Sequence, residues 1–482
     1  MNRRLATAGV LMGIFLAAVD GTIVSTVMPT VVQSLGGLAY YSWAFAAYML
    51  FAAISMPFFG RLADMYGRRR LFFIGVGVFV LGSALSGLSQ SMVELVLFRA
   101  LQGVGGGAMI TLPYAIIGVI YPPESRGKVI GLGSGIWGVS SVLGPLLGYG
   151  IVATLSWRWV FFLSVPIGLA AVTLVGVSIE ESTGTAERSI DLLGAVTLAV
   201  AVVALLVGLQ FVQTRTDLAG LLFVVAAVGL AGFYLAERRA AQPLIPLSLF
   251  GDGVFRSTNA TAFLMSFVAF AAITYVPLFL QSIRGGAESA ALAVFPISIG
   301  WSFTSVFAGM TVGRIGERRL VTAGTVVMAV SCLAATTWTA SVSLPVLFVN
   351  AVGIGVGVGA VTTPLLVAIQ NHLGDARMGL ATSSQQFFRN LGGTLGVGVL
   401  GFVMNLVIRD QLTSVPGVSN LDDLQRLLLG SNGAPAGLGA VMAHGLTATF
   451  VISALVAVAA VGFSRRVPVS TIRDRAAQPA DD

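Results

Sequence analysis

The sequence predicts an all-α polytopic membrane protein, and three observations carry that reading. The chain is 56% apolar and only 10% charged, where a soluble chain carries about 25% charged residues. Its mean hydropathy is +0.92. Its apolar runs are repeatedly about 20 residues long, the length a helix needs to cross roughly 30 Å of hydrocarbon. A very large soluble core does not account for that repeated length.

Charge and cysteine usage narrow the class further. The net charge of +7 comes from arginine, with Lys128 the only lysine, and it falls in short loops, so no nucleic-acid partner is needed to explain it. Cys332 is alone inside an apolar run, which rules out a disulfide framework or cysteine metal cluster within one chain.

The chain opens with Arg3 and Arg4 before an apolar run, superficially like a secretory signal. That run continues past Asp20 to Pro29 without a small-residue cleavage site, so it is a retained first span. In order, the apolar runs define fourteen spans at about 8–30, 42–62, 71–89, 93–118, 128–153, 158–178, 190–211, 217–237, 257–282, 289–312, 320–339, 342–366, 379–406 and 441–463. The expected organisation is a six-helix bundle over 1–180, two inserted helices with connectors over 181–253, and a second six-helix bundle over 254–465. A polar outer loop covers 407–440, and 466–482 form a tail. Apart from Gln210 the inserted spans hold almost no polar residues, which suits packing or lipid contact.

Arginine placement orients the chain. With both termini cytoplasmic, twenty Arg and Lys residues fall on the cytoplasmic side and five on the other, leaving Arg99 and Arg389 inside spans. An odd number of spans would scramble that asymmetry.

The chain also repeats itself. Residues 60–70 read GRLADMYGRRR, and Gly60, Asp64, Gly67, Arg68 and Arg69 find Gly309, Gly313, Gly316, Glu317 and Arg318 at an offset of 249. Gly103, Gly105, Gly107 and Pro113 find Gly353, Gly355, Gly357 and Pro364 at offsets of 250 and 251. The loops Glu124-Ser-Arg126-Gly127 and Asp375-Ala-Arg377-Met-Gly379 are each followed, 17 residues beyond the glycine, by Gly144 and Gly396. The plan is six spans, two inserted spans, and six again. Parallel halves of this kind place a substrate site near the bilayer midplane, with access alternating as one half rocks on the other.

These motifs resemble the major facilitator superfamily, within it the fourteen-span drug:proton antiporter branch. The 60–70 stretch looks like its signature between spans 2 and 3. Phe98-Arg99-Ala-Leu-Gln102-Gly103-Val-Gly105 is similar to its span 4 motif, where the arginine is implicated in proton transfer. Gly144-Pro145-Leu-Leu-Gly148 resembles the exporters' span 5 motif, although Ser140 and Tyr149 stand where glycine is frequent. Ala18-Val-Asp20-Gly-Thr22-Ile-Val24 is similar to the span 1 motif. The resemblance implies a major facilitator fold, two pseudo-symmetric six-helix bundles plus two inserted helices, acting as a monomeric efflux transporter in the cytoplasmic membrane with protons as its coupling ion.

Each motif has its own physics. Asp20 lies about a dozen residues into span 1, roughly 18 Å deep. An ionised carboxylate there is costly, which suits a group that takes up and releases a proton; the alternative is a polar residue bonded to Thr22 or Ser25. Its counterpart in the second half is Val268, so the halves differ in proton binding. Arg99 keeps its charge at similar depth and needs an acidic or carbonyl partner or a wet cavity. Asp20 is the acid at that depth, which leads to a proton-sensitive Asp20–Arg99 association; a structural Arg99 remains the alternative.

At the membrane edge, Gly60, Asp64, Gly67, Arg68 and Arg126 are candidates for a latch. Asp64 is expected to face the N-terminal end of span 13 and to bond Arg126, against the plainer reading of a solvated charge run. Gly313 replaces the aspartate in the second copy, so any latch is one-sided. Gly144, Pro145 and Gly148 bend span 5, either as a gating hinge or as a fixed kink. The glycines after Gln102 suit close packing or ligand access to backbone.

For substrate contact the candidates are Gln102, Trp137, Tyr114, Tyr275, Gln385, Phe387 and Arg389, with Tyr48 and Met28 beside them, although aromatic and Met stripes also pack. Arg389 either orients a polar part of the substrate or bonds backbone carbonyls. One deep acid and two deep arginines favour neutral, monocationic or weakly anionic amphiphiles. His372 and His444 lie in a loop and near a span end, away from the coupling depth. No cluster of His, Asp and Glu lies within the spans and no phosphate-binding loop appears, which argues against an enzyme and against ATP-driven export. A proton-coupled importer of an organic solute is the alternative on the same fold.

Overall fold

The computed structural model describes residues 2–37, 40–180, 191–212, 215–284, 287–412 and 438–468. The connector 181–190, most of the polar loop (413–437), the tail beyond 468 and the Gln210 side chain lie outside the described residues. Fourteen helices among them are long and apolar enough to cross a membrane. In order they are α1 (Arg3–Leu35), α2 (Tyr41–Tyr66), α3 (Arg68–Leu88), α4 (Met92–Ile120) and α5 (Pro123–Thr154). The pair α6 (Arg158–Phe162) and α7 (Ser164–Ser178) forms one span, followed by the inserted helices α8 (Leu192–Phe211) and α9 (Thr216–Arg239). Then come α10 (Gly253–Arg284), α11 (Ala287–Ile315), α12 (Glu317–Ala335), α13 (Leu344–Leu373), α14 (Met378–Leu412) and α15 (Leu438–Ser464).

Helices run past the apolar runs because polar residues at their ends still satisfy backbone groups. Asn2 caps α1 by accepting from the amides of Arg4 and Leu5. Asp252 caps α10 through the amides of Val254 and Phe255. Gly67, with φ +96°, separates α2 from α3, and Gly316, with φ +89°, separates α11 from α12. Both amides close the preceding helix, Gly67 onto Ala63 and Gly316 onto Val312. The sequence repeat is thus a repeated backbone break at a left-handed conformation that suits glycine.

Two compact units divide the chain: Met1–Gly208 with Asp217–Arg256 and Leu366–Phe387, and Leu209–Thr216 with Ser257–Leu365 and Phe388–Asp482. In the first, α4 is the central helix, packed on α2 and α3, while α1 packs on α5 and α7. Its glycines make this possible. A methyl on Gly103 would lie 2.4 Å from the Tyr48 carbonyl, and one on Gly105 would lie 2.3 Å from the Phe79 amide nitrogen. Small residues in a membrane interface let backbones approach this closely.

Most of the inserted pair, up to Gly208 and from Asp217 on, joins the same unit. Gly229 on α9 packs against the Ala201 backbone on α8. Glu237 accepts from the amides of Leu244 and Ile245 in the following linker, and Arg61 on α2 donates to Gln242. In the second unit α12 packs on α11 and α15. There Gly355 meets the Ile297 backbone on α11, and Gly357 meets Met328 on α12. Phe279 stacks on Trp338, which meets Phe450 edge-on.

Candidate functional site

Helices α1, α2 and α4 build a buried polar cluster. Arg99 Nη1 donates to Asp20 Oδ2 at 2.8 Å and to Gln102 Oε1 at 2.6 Å. Gln102 Nε2 donates to Asp20 Oδ1 at 2.8 Å, closing the ring. Arg99 Nε donates to the Ala44 carbonyl at 3.3 Å, and the Tyr48 ring covers the guanidinium with its centroid 4.3 Å away. Arg99 and Gln102 share a face of α4 because they are three residues apart. Arg99 is 1% exposed and Asp20 7%.

Such a pair survives burial only when hydrogen bonds satisfy both ions, and here both carboxylate oxygens are bonded. Thr22 and Ser25 take other partners. Thr22 Oγ1 donates to the Ser140 carbonyl at 2.9 Å and Ser25 to the Thr22 carbonyl at 2.7 Å. Gln102, expected at a substrate surface, instead has both ends of its amide engaged with the ion pair.

A second cluster sits at the arginine-rich helix ends. Asp64 accepts from the amides of Gly379 at 2.8 Å and Leu380 at 2.9 Å, at the start of α14, and from Arg68 at 3.0 Å. The expected Asp64–Arg126 bond gives way to a different pairing. Arg126 donates to Asn371 at 3.1 Å and to Asp375 at 3.2 Å, while Arg68 also reaches the Asp375 carbonyl at 2.7 Å. The amides at the α14 terminus and Arg68, one turn along its own chain, fill the Asp64 carboxylate. Gly60 is a close approach, since its added methyl would lie 2.1 Å from Ser383 Oγ.

On α5, Gly144 and Gly148 face α1: a methyl on Gly144 would lie 2.0 Å from Thr22 Oγ1, and one on Gly148 3.1 Å from Ile23. Pro145 follows in the same helix.

The remaining candidates scatter. Tyr114 is buried, and its carbonyl accepts from Gln370 at 3.0 Å. Trp137 is on α5, and Gln385 and Phe387 are buried on α14 in the first unit. Tyr275 and Arg389 belong to the second unit, where the Tyr275 hydroxyl donates to the Val397 carbonyl at 2.5 Å, a packing tie. His372, expected in a loop, ends α13 and meets Asp252 at 2.6 Å.

Sequence reasoning missed the Tyr48 ring on Arg99 and the pairing of Arg126 with Asp375. Asp375 carried a signal, since it holds the acidic place of a repeated Glu/Asp-x-Arg loop. Gln386, which the sequence grouped with Gln385 and Arg389 for substrate contact, donates to the Ile110 carbonyl at 3.1 Å. No metal-binding group of His, Cys, Asp and Glu occurs among the described residues.

Comparison with known proteins decides the family. The profile of the Major Facilitator Superfamily matches residues 10–397. The chain belongs to this superfamily. Among its relatives, Multidrug transporter protein MdtP of Bacillus subtilis (strain 168) is 37% identical over 428 residues, covering 87% of this chain and 79% of that protein. Multidrug resistance protein 3 of the same organism is 35% identical over 416 residues, covering 85% and 81%. Among solved structures, the major facilitator proton:xylose symporter XylE superposes with a TM-score of 0.67 at 15% identity, covering 97% of this chain and 96% of that one. The human organic anion transporter MFSD10 superposes with a TM-score of 0.66 at 16% identity, covering 95% and 100%. This major facilitator is therefore a multi-pass membrane transporter with the fold of its superfamily, not an enzyme.

Proposed function

We propose that the chain is a proton-coupled antiporter that exports small amphiphilic compounds across the cytoplasmic membrane by alternating access, as a monomer with both termini cytoplasmic. The observation that carries this reading is the buried Asp20–Arg99–Gln102 cluster. An ionised Asp20 neutralises Arg99. When the carboxylate takes a proton the guanidinium loses its counterion, and the 2.8 Å contact between α1 and α4 weakens. Proton occupancy then has a different energy in each arrangement of the helices, which is the condition for coupling. The multidrug relatives support export and a lipophilic substrate, drug or metabolite, and the single deep acid suits neutral, monocationic or weakly anionic ones. No bound cofactor beyond the proton is invoked.

Flux into proteoliposomes under an imposed pH gradient tests the proposal. Antiport requires substrate to accumulate against the proton flow, and Asp20→Asn must abolish that gradient-driven accumulation. Co-directional movement of substrate and protons would establish an importer, and full gradient-driven transport by Asp20→Asn would refute the coupling role.

A further inference from the structure

We infer that Tyr48 is a positioning residue whose ring face holds the Arg99 guanidinium when Asp20 becomes neutral, and so sets the proton concentration at which the Asp20–Arg99 contact opens. This deepens the coupling role proposed for Asp20 and rests on it. Three helices face Arg99. Helix α1 supplies the anion Asp20, α4 supplies the Gln102 amide, and α2 supplies the Ala44 carbonyl and the Tyr48 ring. Protonation removes only the anion. A full cation then remains, 1% exposed, at a depth where unpaired charge is costly.

The ring answers that need in a way the carbonyl and amide do not. An aromatic face attracts a cation through its quadrupole, most strongly where water is excluded. While Asp20 is ionised its carboxylate offsets the charge the ring senses. Once Asp20 is neutral the ring meets an uncompensated guanidinium, so it favours the protonated state. The hydroxyl has no part in this. Tyr48 Oη is buried without a hydrogen-bond partner among the described residues. The surroundings clamp the ring in place. The Gly106 methyl position is 2.9 Å from the ring, Gly103 admits the Tyr48 backbone, and Phe79 meets the ring edge-on at 6.5 Å. The glycine run of α4 thus brings an aromatic face onto the arginine one turn away.

The full-length transporter tests this in two ways. In proteoliposomes, Tyr48→Leu should move the midpoint of the transport pH profile down by about one unit, a tenfold loss of proton affinity, and Tyr48→Phe should restore it. An unmoved midpoint in Tyr48→Leu, or an equal shift in Tyr48→Phe, would overturn the inference. The second test needs no transport. In detergent, Tyr48→Leu should lower the unfolding temperature more in an Asp20→Asn background than in the native one, because the neutral residue exposes the cation to the ring. Equal losses in both backgrounds overturn the inference. Intact gradient-driven flux by Asp20→Asn alone would instead remove the coupling proposal and leave the Tyr48 contact to the detergent result.

Discussion

The carboxylate of Asp64 accepts the amide hydrogen of Gly379 at 2.8 Å, tying the last turn of α2 to the first turn of α14. Opening amides of a helix lack intrahelical partners, and the positive end of the helix dipole adds to the attraction. Asp64→Ala should cost about 1–3 kcal/mol of stability by leaving buried donors unpaired. Asp64→Asn, which keeps one acceptor, should cost less. Thermal unfolding in detergent compares the two, and equal losses would mean that the amides find other partners.

Arg126 and Asp375 offer a sharper pairing test. A double reversal, Arg126→Asp with Asp375→Arg, should recover part of the stability lost by either reversal alone. Pairing Arg126→Asp with Asp64→Arg should recover none. Asp375 is 70% exposed in its side chain, so the recovered coupling should be small, about 0.2–1 kcal/mol. A double-mutant cycle on purified protein measures it, and recovery through Asp64 would reverse the assignment.

Much of this was legible in the sequence because a bilayer limits what a chain can do. Apolar run length located the fourteen spans, although the helices overrun them by up to seven residues, as α13 does at Leu373, and an acid and an arginine at matching depth pointed to each other. The partners of Arg126 were less legible because several polar groups converge at the helix ends and spacing does not rank them. Tyr48 was visible only as one aromatic among many, since which face of α2 meets Arg99 depends on how closely Gly103 and Gly106 let the helices approach. Gln102 read as a cavity residue because its bonds to both ions depend on three-dimensional geometry.

Gly67 and Gly316 predict paired effects. Each holds a positive φ, +96° and +89°, between two helices. Alanine at either should cost about 1–2 kcal/mol through its Cβ, even though Gly313 has replaced the aspartate of the first copy. Unfolding of Gly67→Ala and Gly316→Ala tests this, and a neutral substitution would show that the break tolerates a side chain.

Asp252 gives a pH signature. Burial opposes its charge, but the bonds from His372 and from the amides of Phe255 and Val254, with the imidazole's charge, hold its carboxyl below the ordinary aspartate range. The folded state therefore binds this proton less readily than the unfolded chain. The stabilisation is complete above the unfolded value of about 3.9 and disappears as pH falls through the lower folded value. Asn also caps helices well, so Asp252→Asn isolates the charge. The mutant should unfold earlier than the native protein at neutral pH, and the gap should close in strong acid; a gap independent of pH would locate the effect in the cap.

Thr22 and Gly144 separate a fixed kink from a hinge in α5. The methyl of Gly144→Ala would lie 2.0 Å from Thr22 Oγ1 and 3.1 Å from the Ile23 amide nitrogen. Overpacking of this kind costs about 1–3 kcal/mol. Thr22 also holds the Ser140 carbonyl one turn before the glycine at 2.9 Å, so α1 grips α5 where Pro145 removes a backbone donor. If the glycine serves this contact, Gly144→Ala destabilises the protein and Thr22→Ala partly restores it, with transport falling and recovering in step with stability. A hinge predicts a different split, in which Gly144→Ala keeps its unfolding temperature yet loses turnover, and Thr22→Ala does not return it. Unfolding and flux measured on the same four proteins decide between them, because the contact couples the two side chains whereas a hinge depends on the backbone freedom of Gly144 alone.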